Sequence, residues 1–247
     1  MRRLLGFLHL VLANLLAYLF ALPFTVLLTP IAFVIALFGG KRLLLFITRF
    51  WAYLLFMITL RPVKVVGREL VDFSRPYLIL MNHASMFDIP LLYRIFPGKI
   101  QWISKETIFS IPLWGKIMRE LGCISMEREK LKSAKSSLEQ AVRADAQASI
   151  AMFPEGTRTP TGELQRFKRG FVYILRNTEY DVLPITFRGL FRFCPKHRFA
   201  VDPRCPIEVI FHKPLKREEL VGKTDEEIVA YVRSVIETDL KESSCSH

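Results

Sequence analysis

His83 and Asp88 lie five residues apart in the stretch Met81–Asn82–His83–Ala84–Ser85–Met86–Phe87–Asp88. That spacing is too wide for one helix face, whose neighbours sit three or four apart. Across a turn the two can meet. Asp88 would then accept the Nδ1–H of His83, fix its tautomer and support positive charge on the ring. Nε2 would be left free to take a proton from an attacking hydroxyl. On spacing alone, a loop contact or a helix cap is the commoner role for such a pair. Ser85 nominally completes a Ser–His–Asp set, but it stands two residues from His83 and lacks a G-x-S-x-G elbow. Its hydroxyl reads as a bond that stabilises the turn. Asn82 reads the same way, or as a partner of His83.

A second stretch, Phe153–Pro154–Glu155–Gly156–Thr157–Arg158, has the parts of an anion site. Gly156 lets a ligand approach the backbone closely. Arg158 can grip a phosphate with two parallel N–H bonds, and Thr157 can add a hydroxyl donor. Unaided, the stretch reads as an ordinary polar turn. Glu155 would repel a phosphate, so it is expected to hold Arg158 or a backbone amide.

Both stretches need elements that bring them together. Each follows a strand-like run, Tyr77–Leu80 and Ser149–Phe153. Ile89–Tyr93 reads as the first turn of a helix, with Pro90 where a missing N–H does no harm. Strand-to-helix turns are where an α/β sheet presents its chemistry.

Taken together, Asn82-His83-x-Ser85-x-x-Asp88 and Phe153–Arg158, about 70 residues apart, resemble the glycerolipid acyltransferases, specifically the 1-acylglycerol-3-phosphate (lysophosphatidic acid) acyltransferases. Two further blocks stand in the family's order: Ile103–Ser104–Lys105–Glu106 leading into Ile111–Pro112–Leu113–Trp114–Gly115, and Val182–Leu183–Pro184–Ile185. The resemblance spans roughly residues 60–215. It implies transfer of a fatty acyl group from acyl-CoA or acyl-carrier protein to the sn-2 hydroxyl of lysophosphatidic acid, giving phosphatidic acid. His83 would be the general base and Asp88 its orienter, with no acyl-enzyme. Glu155, Gly156, Thr157 and Arg158 would form the glycerol-phosphate site. Lys105, in the second block, is expected to add a second cation. Neither a cofactor nor a metal is expected.

Bulk properties agree with a lipid substrate. The chain is 51% apolar with a mean hydropathy of +0.26, high for a soluble protein. Its net charge is +12, of which residues 1–60 carry +5 with no acid. A basic protein with an apolar end suits an anionic membrane and a phosphorylated substrate. Nucleic acid is not expected as a partner, because the cations are scattered among apolar runs and no nucleic-acid motif is visible. Cys123, Cys194, Cys205 and Cys245 form no C-x-x-C pair, so neither zinc nor a disulfide framework is implied.

Residues 4–39 are almost free of charge. As one helix they would reach roughly 54 Å, against about 30 Å of bilayer hydrocarbon. Pro23 and Pro30 offer breaks, so Leu4–Leu22 and Phe24–Phe38 are read as a helical hairpin joined near Pro23. Arg2–Arg3 and Lys41–Arg42 would then share the cytoplasmic side. Two full spans and a hairpin buried in one leaflet both fit. Leu43–Leu60, with Arg49, Trp51, Tyr53 and Phe56, fits an interfacial helix or one packed on the domain. From Val63 onward strands and helices alternate, including a helix over Leu131–Ala148 and a last one over Asp225–Leu240 capped by Thr224 or Asp225.

The expected architecture is therefore α/β: a mixed sheet covered by helices, with an N-terminal apolar hairpin for membrane attachment. Residues 1–60 form the membrane segment and 61–247 the acyltransferase domain, on the cytoplasmic face of the cell membrane. The rival functions are acylation of glycerol-3-phosphate or another lysophospholipid, and catalytically silent lipid binding on the same fold.

Overall fold

A computed structural model describes residues 2–104, 106–125 and 145–241. Lys105, Arg128, most of the helix expected over Leu131–Ala148, and Ser243–His247 lie outside the described residues.

The apolar N-terminus runs as one continuous helix. α1 (Arg2–Leu16) passes through a π-helical turn (Ala17–Ala21) into α2 (Leu22–Leu37). The expected break at Pro23 is thus corrected, and the physical reason is local. Pro23 falls in the first turn of α2, directly after the wider π turn, where the Leu22 amide reaches back to the Ala17 carbonyl. Such a turn absorbs the strain that a proline imposes on a regular ladder. The chain reverses later, at Gly39, whose φ of +71° is open to glycine at no steric cost. Arg2–Arg3 and Lys41–Arg42 consequently stand at opposite ends of the long helix.

α3 (Lys41–Ile58) returns from that turn, makes a hairpin with the long helix and packs on the domain. Ala52 and Phe56 are buried in the core. Arg49 donates to the carbonyls of Pro97 at 2.6 Å and Gly98 at 2.7 Å, closing the end of the helix that follows the His83 turn. Trp51 Nε1 donates to Thr25 Oγ1 at 2.9 Å, pinning α3 to α2.

The strands are β1 (Val63–Val66), β2 (Tyr77–Met81), β3 (Ile100–Ser104), β4 (Ile124–Ser125), β5 (Ser149–Met152), β6 (Asp181–Arg188) and β7 (Ile207–Phe211). Among the described residues they form one sheet in the order β1-β7-β6-β2-β5-β3-β4. All pairs are parallel except β6 with β7. Strand β2 lies at the centre and is buried on both faces. Its side chains alternate, as the pleat requires. Tyr77, Ile79 and Met81 join a core with Ala52 and Phe56 of α3 and with α4 (Asp88–Ile95). Leu78 and Leu80 join a second core on the opposite face. That core includes α7 (Gly170–Asn177) and α10 (Asp225–Lys241).

The remaining helices are short: α5 (Glu106–Phe109), α6 (Trp114–Glu120), α8 (Leu190–Phe193) and α9 (Arg217–Val221). Thr224 is the cap of α10. Its hydroxyl receives the Glu227 amide while the Glu227 carboxylate receives the Thr224 amide, a reciprocal box.

Candidate active site

Parallel pairing of β2 with β5 decides the geometry. Leu80 is in register with Met152, so the chain leaves both strands at the same edge of the sheet. The loop carrying His83 and the loop carrying Phe153–Arg158 emerge side by side, despite about 70 residues of separation.

The two loops are stitched at the backbone. The Thr159 amide donates to the His83 carbonyl at 2.9 Å. Glu155 is 2% exposed, and its Oε1 accepts the His83 amide at 2.7 Å while Oε2 accepts the Gln165 amide at 3.0 Å. Burial raises the Glu155 pKa, opposed by those two amides. The carboxylate faces inward on backbone donors, so it shapes the site without lining a phosphate pocket. Gly156 turns with φ +75°, and Thr157 is exposed with its carbonyl accepting Gln165 Nε2.

His83 and Asp88 meet as the turn allows. Nδ1 stands 2.6 Å from Asp88 Oδ2, which also accepts the amides of Ala84 at 2.7 Å and Ser85 at 2.9 Å. Asp88 is fully buried, whereas the His83 side chain remains 18% exposed. A carboxylate held by two amides is fixed in place and keeps a proton on Nδ1, which leaves the Nε2 lone pair facing outward.

The imidazole lies flat on Phe153, with ring centroids 3.8 Å apart and planes 7° from parallel. Phe153 in turn stacks on Trp102 of β3 at 5.3 Å. These two rings hold the imidazole from behind. Only their positions in three dimensions reveal this, since Phe153 is far from His83 in sequence.

Ser85 is 1% exposed and its hydroxyl donates to the Cys194 carbonyl at 2.7 Å, which removes it as a nucleophile. Asn82 does not touch the His83 ring. Its amide group pairs both ways with the Phe187 backbone, at 3.0 and 2.8 Å, clamping the loop to β6.

Arg158 is half-buried, and its Nη1 is shielded from solvent without a hydrogen-bond partner among the described residues. A buried guanidinium N–H left open is costly unless a ligand takes it. The backbone of its neighbour Thr159 is tied to His83, so Arg158 belongs to the same pair of stitched loops.

An apolar chamber of about 240 Å³ lies between the hairpin and the domain. Thr25 and Ala32 of α2, Trp51 of α3, Ile89 of α4, Trp102 of β3 and Ile117 of α6 are among its walls. Ile89 is the residue after Asp88, and Trp102 is one ring removed from the His83 stack. The chamber thus comes within one residue of Asp88 and one ring of the imidazole stack. The arrangement can deprotonate a hydroxyl at His83, take an anion at Arg158, and seat a hydrocarbon chain.

A family model described as Acyltransferase matches residues 62–188. A 1-acyl-sn-glycerol-3-phosphate acyltransferase of Cocos nucifera is 30% identical over 176 residues, covering 70% of this chain and 55% of that one. The chloroplastic LPAT1 of Arabidopsis thaliana is 32% identical, over 69% of this chain and 48% of its own. A Saccharomyces cerevisiae relative bearing the same acyltransferase name is 29% identical, over 73% and 60%. The chain spans about half the length of the first two of these relatives. The crystal structure of the 1-acyl-sn-glycerophosphate (LPA) acyltransferase PlsC from Thermotoga maritima shares the fold, with a TM-score of 0.73 over the whole of both chains at 23% identity.

Proposed function

Because the chain belongs to the acyltransferase family, we propose that it transfers a fatty acyl group from an acyl thioester to the sn-2 hydroxyl of 1-acylglycerol-3-phosphate, making phosphatidic acid. The observation that carries this reading is that the His83 and Arg158 loops leave parallel strands side by side, with an apolar chamber close by. These loops hold the His83–Asp88 dyad and Arg158, whose Nη1 has no partner among the described residues.

Each part has one role. Arg158 holds the phosphate of the acceptor and so delivers its free hydroxyl to Nε2 of His83. Nε2 takes the hydroxyl proton as the oxygen attacks the thioester carbonyl. The C–S bond then breaks, and the leaving thiolate takes the proton back from the imidazolium. Asp88 steadies the positive charge between these steps. Gly156 and Thr157 shape the phosphate end, and Lys105 of the second motif supplies a further cation. The donor is acyl-CoA or acyl-carrier protein, and its chain occupies the chamber.

The membrane reading rests on the long helix. It is long and apolar enough to cross a bilayer, and only 17% of its most apolar window is covered by protein. Yet it touches the domain near both ends, at Ala13 and Asn14 and again at Ala32 and Ala36. Those contacts lie roughly 30 Å apart along the axis. A helix crossing the bilayer would drag the domain into the hydrocarbon, so the hairpin seats the protein in one leaflet with the site at headgroup level. The basic, acid-free first 60 residues support the cytoplasmic leaflet of the cell membrane.

Thioester release by the purified, detergent-solubilised protein tests the function. Oleoyl-CoA and palmitoyl-carrier protein are offered in turn, with and without lysophosphatidic acid, to wild type and His83→Ala. Release that requires both the acceptor and His83 is expected. Release without acceptor would indicate a thioesterase instead, and equal release by His83→Ala would remove His83 as the base.

A further inference from the structure

The loop between α8 and β7 exposes an aromatic ring amid cations. Phe199 is 77% exposed, far beyond what a lone surface phenylalanine needs. Around it in sequence stand Arg192, Lys196, Arg198 and Arg204, with Asp202 the one acid. Asp202 is spent on Arg204, at 2.6 Å. Arg198 donates to the carbonyls of Ala200 at 3.1 Å and Arg192 at 2.8 Å, so it braces the loop without losing its charge.

This loop is bolted to the membrane helix. Asn14 of α1 donates to the Val201 carbonyl at 2.8 Å and accepts the Val201 amide at 2.9 Å. Gly6 faces Arg204 so closely that a Cβ there would stand 3.6 Å from its Cδ. Phe199 is two residues from Val201, hence within about 7 Å of it along the chain. The loop that bears the exposed ring is therefore fastened to the helix whose outer face shows Phe7, Val11 and Leu15. The other end of the loop reaches the chemistry. Ser85 of the catalytic turn bonds the Cys194 carbonyl, and Phe193 packs on Phe87 with centroids 5.0 Å apart.

We propose that residues 195–204 form a second membrane-contact element, in which Phe199 enters the interface of an anionic lipid leaflet while Arg192, Lys196 and Arg198 meet the headgroup phosphates. An aromatic ring with cations around it is the composition that such an interface favours. Charge complementarity selects the occupant, because an uncharged apolar partner would leave the cations unanswered. The loop then does what the hairpin alone cannot. It levels the domain, holding the His83 turn at the depth of the acceptor's headgroup. The inference rests on the leaflet reading given above, and the test separates the two.

Phe199→Trp and, as a hairpin reporter, Phe38→Trp are reconstituted as full-length protein in vesicles of phosphatidylglycerol and phosphatidylcholine. A matched set contains brominated acyl chains. Fluorescence is taken as the increment over wild type, which has Trp51, Trp102 and Trp114. The increment from Phe199→Trp should be blue-shifted and quenched by bromine, less deeply than the increment from Phe38→Trp. Adding Lys196→Glu should reduce the quenching at position 199 in phosphatidylglycerol-rich vesicles and leave that at position 38 unchanged. Quenching at position 38 with a water-like, unquenched indole at position 199 would overturn the loop and keep the hairpin. If neither position is quenched, the membrane reading itself fails.

Discussion

At the scale of single residues, Glu155 is the clearest example of an acid that works on the backbone. Both of its oxygens are taken by amides, one of them from His83 itself. Glu155→Gln keeps the shape but turns an N–H₂ end towards a donor. One amide must lose its acceptor, and bonds to a charged group contribute about 1.5–3 kcal/mol. A stability loss of about 1–3 kcal/mol is expected in a denaturant melt, with a lower kcat because the His83 loop loosens. A melt equal to that of wild type would show that the carboxylate does not hold the loops together. Phe153 acts through the ring of His83. Phe153→Leu keeps apolar bulk but loses the flat stack, which is worth about 0.5–1.5 kcal/mol. A kcat reduced by up to about tenfold with little change in KM is expected from steady-state kinetics. A change confined to KM would mean that the ring serves substrate binding and not the position of the base.

At the scale of elements, the chamber belongs to neither half of the protein alone. α2 and α3 form one side, and β3, α4 and α6 the other. Ala32 lines it, so Ala32→Phe places a ring where a chain would lie. Each methylene that loses its seat forfeits about 0.8 kcal/mol, so displacing two lowers kcat/KM for long thioesters by about tenfold. Shorter thioesters should be spared, and equal losses across a chain-length series would exclude the chamber as the acyl site. Much of this frame was legible in the chain. The strand-like runs Tyr77–Leu80 and Ser149–Phe153 are β2 (Tyr77–Met81) and β5 (Ser149–Met152), each within one residue of its expected end. Both motifs were read as strand exits, and it is the parallel pairing of β2 with β5 that brings those exits together. The N-terminal helix was not legible, because a π turn cancels the break that Pro23 announces. Neither were α8 and α9, of four and five residues, too short for any periodicity to register. The chamber, the Phe153 stack and the Glu155 amides depend on which loops meet, and no local pattern encodes that.

At the scale of the whole molecule, the sheet carries the catalytic chemistry at one edge and is sealed on both faces by different means. The hairpin face is closed by apolar packing. On the other face, α10 is also fastened by a polar cluster. Arg188 of β6 pairs with Glu208 at 2.9 Å and with Asp239 of α10 at 3.5 Å. His212 sits in the same cluster, with Nε2 at 2.8 Å from Thr186 Oγ1 and Nδ1 at 3.5 Å from Asp239. Because the Thr186 hydroxyl is also within reach of the Ile236 carbonyl, it can receive the Nε2–H of a neutral imidazole. Burial lowers the His212 pKa from 6.5; Asp239 opposes the shift and Arg188 adds to it. The unfolded chain binds this proton at a higher pH than the folded one, so acid favours unfolding. Stability from His212 is complete above about 6.5 and is lost as pH falls through its lower folded value. The slope for one proton is at most about 1.4 kcal/mol per pH unit. His212→Gln can still donate to Thr186 but cannot titrate. Melting temperatures between about pH 7.5 and 5, a window that brackets the unperturbed histidine value, should therefore fall less steeply for His212→Gln than for wild type. Parallel curves would mean that His212 takes up its proton equally in both states, and that the acid sensitivity of the α10 face lies in its carboxylates.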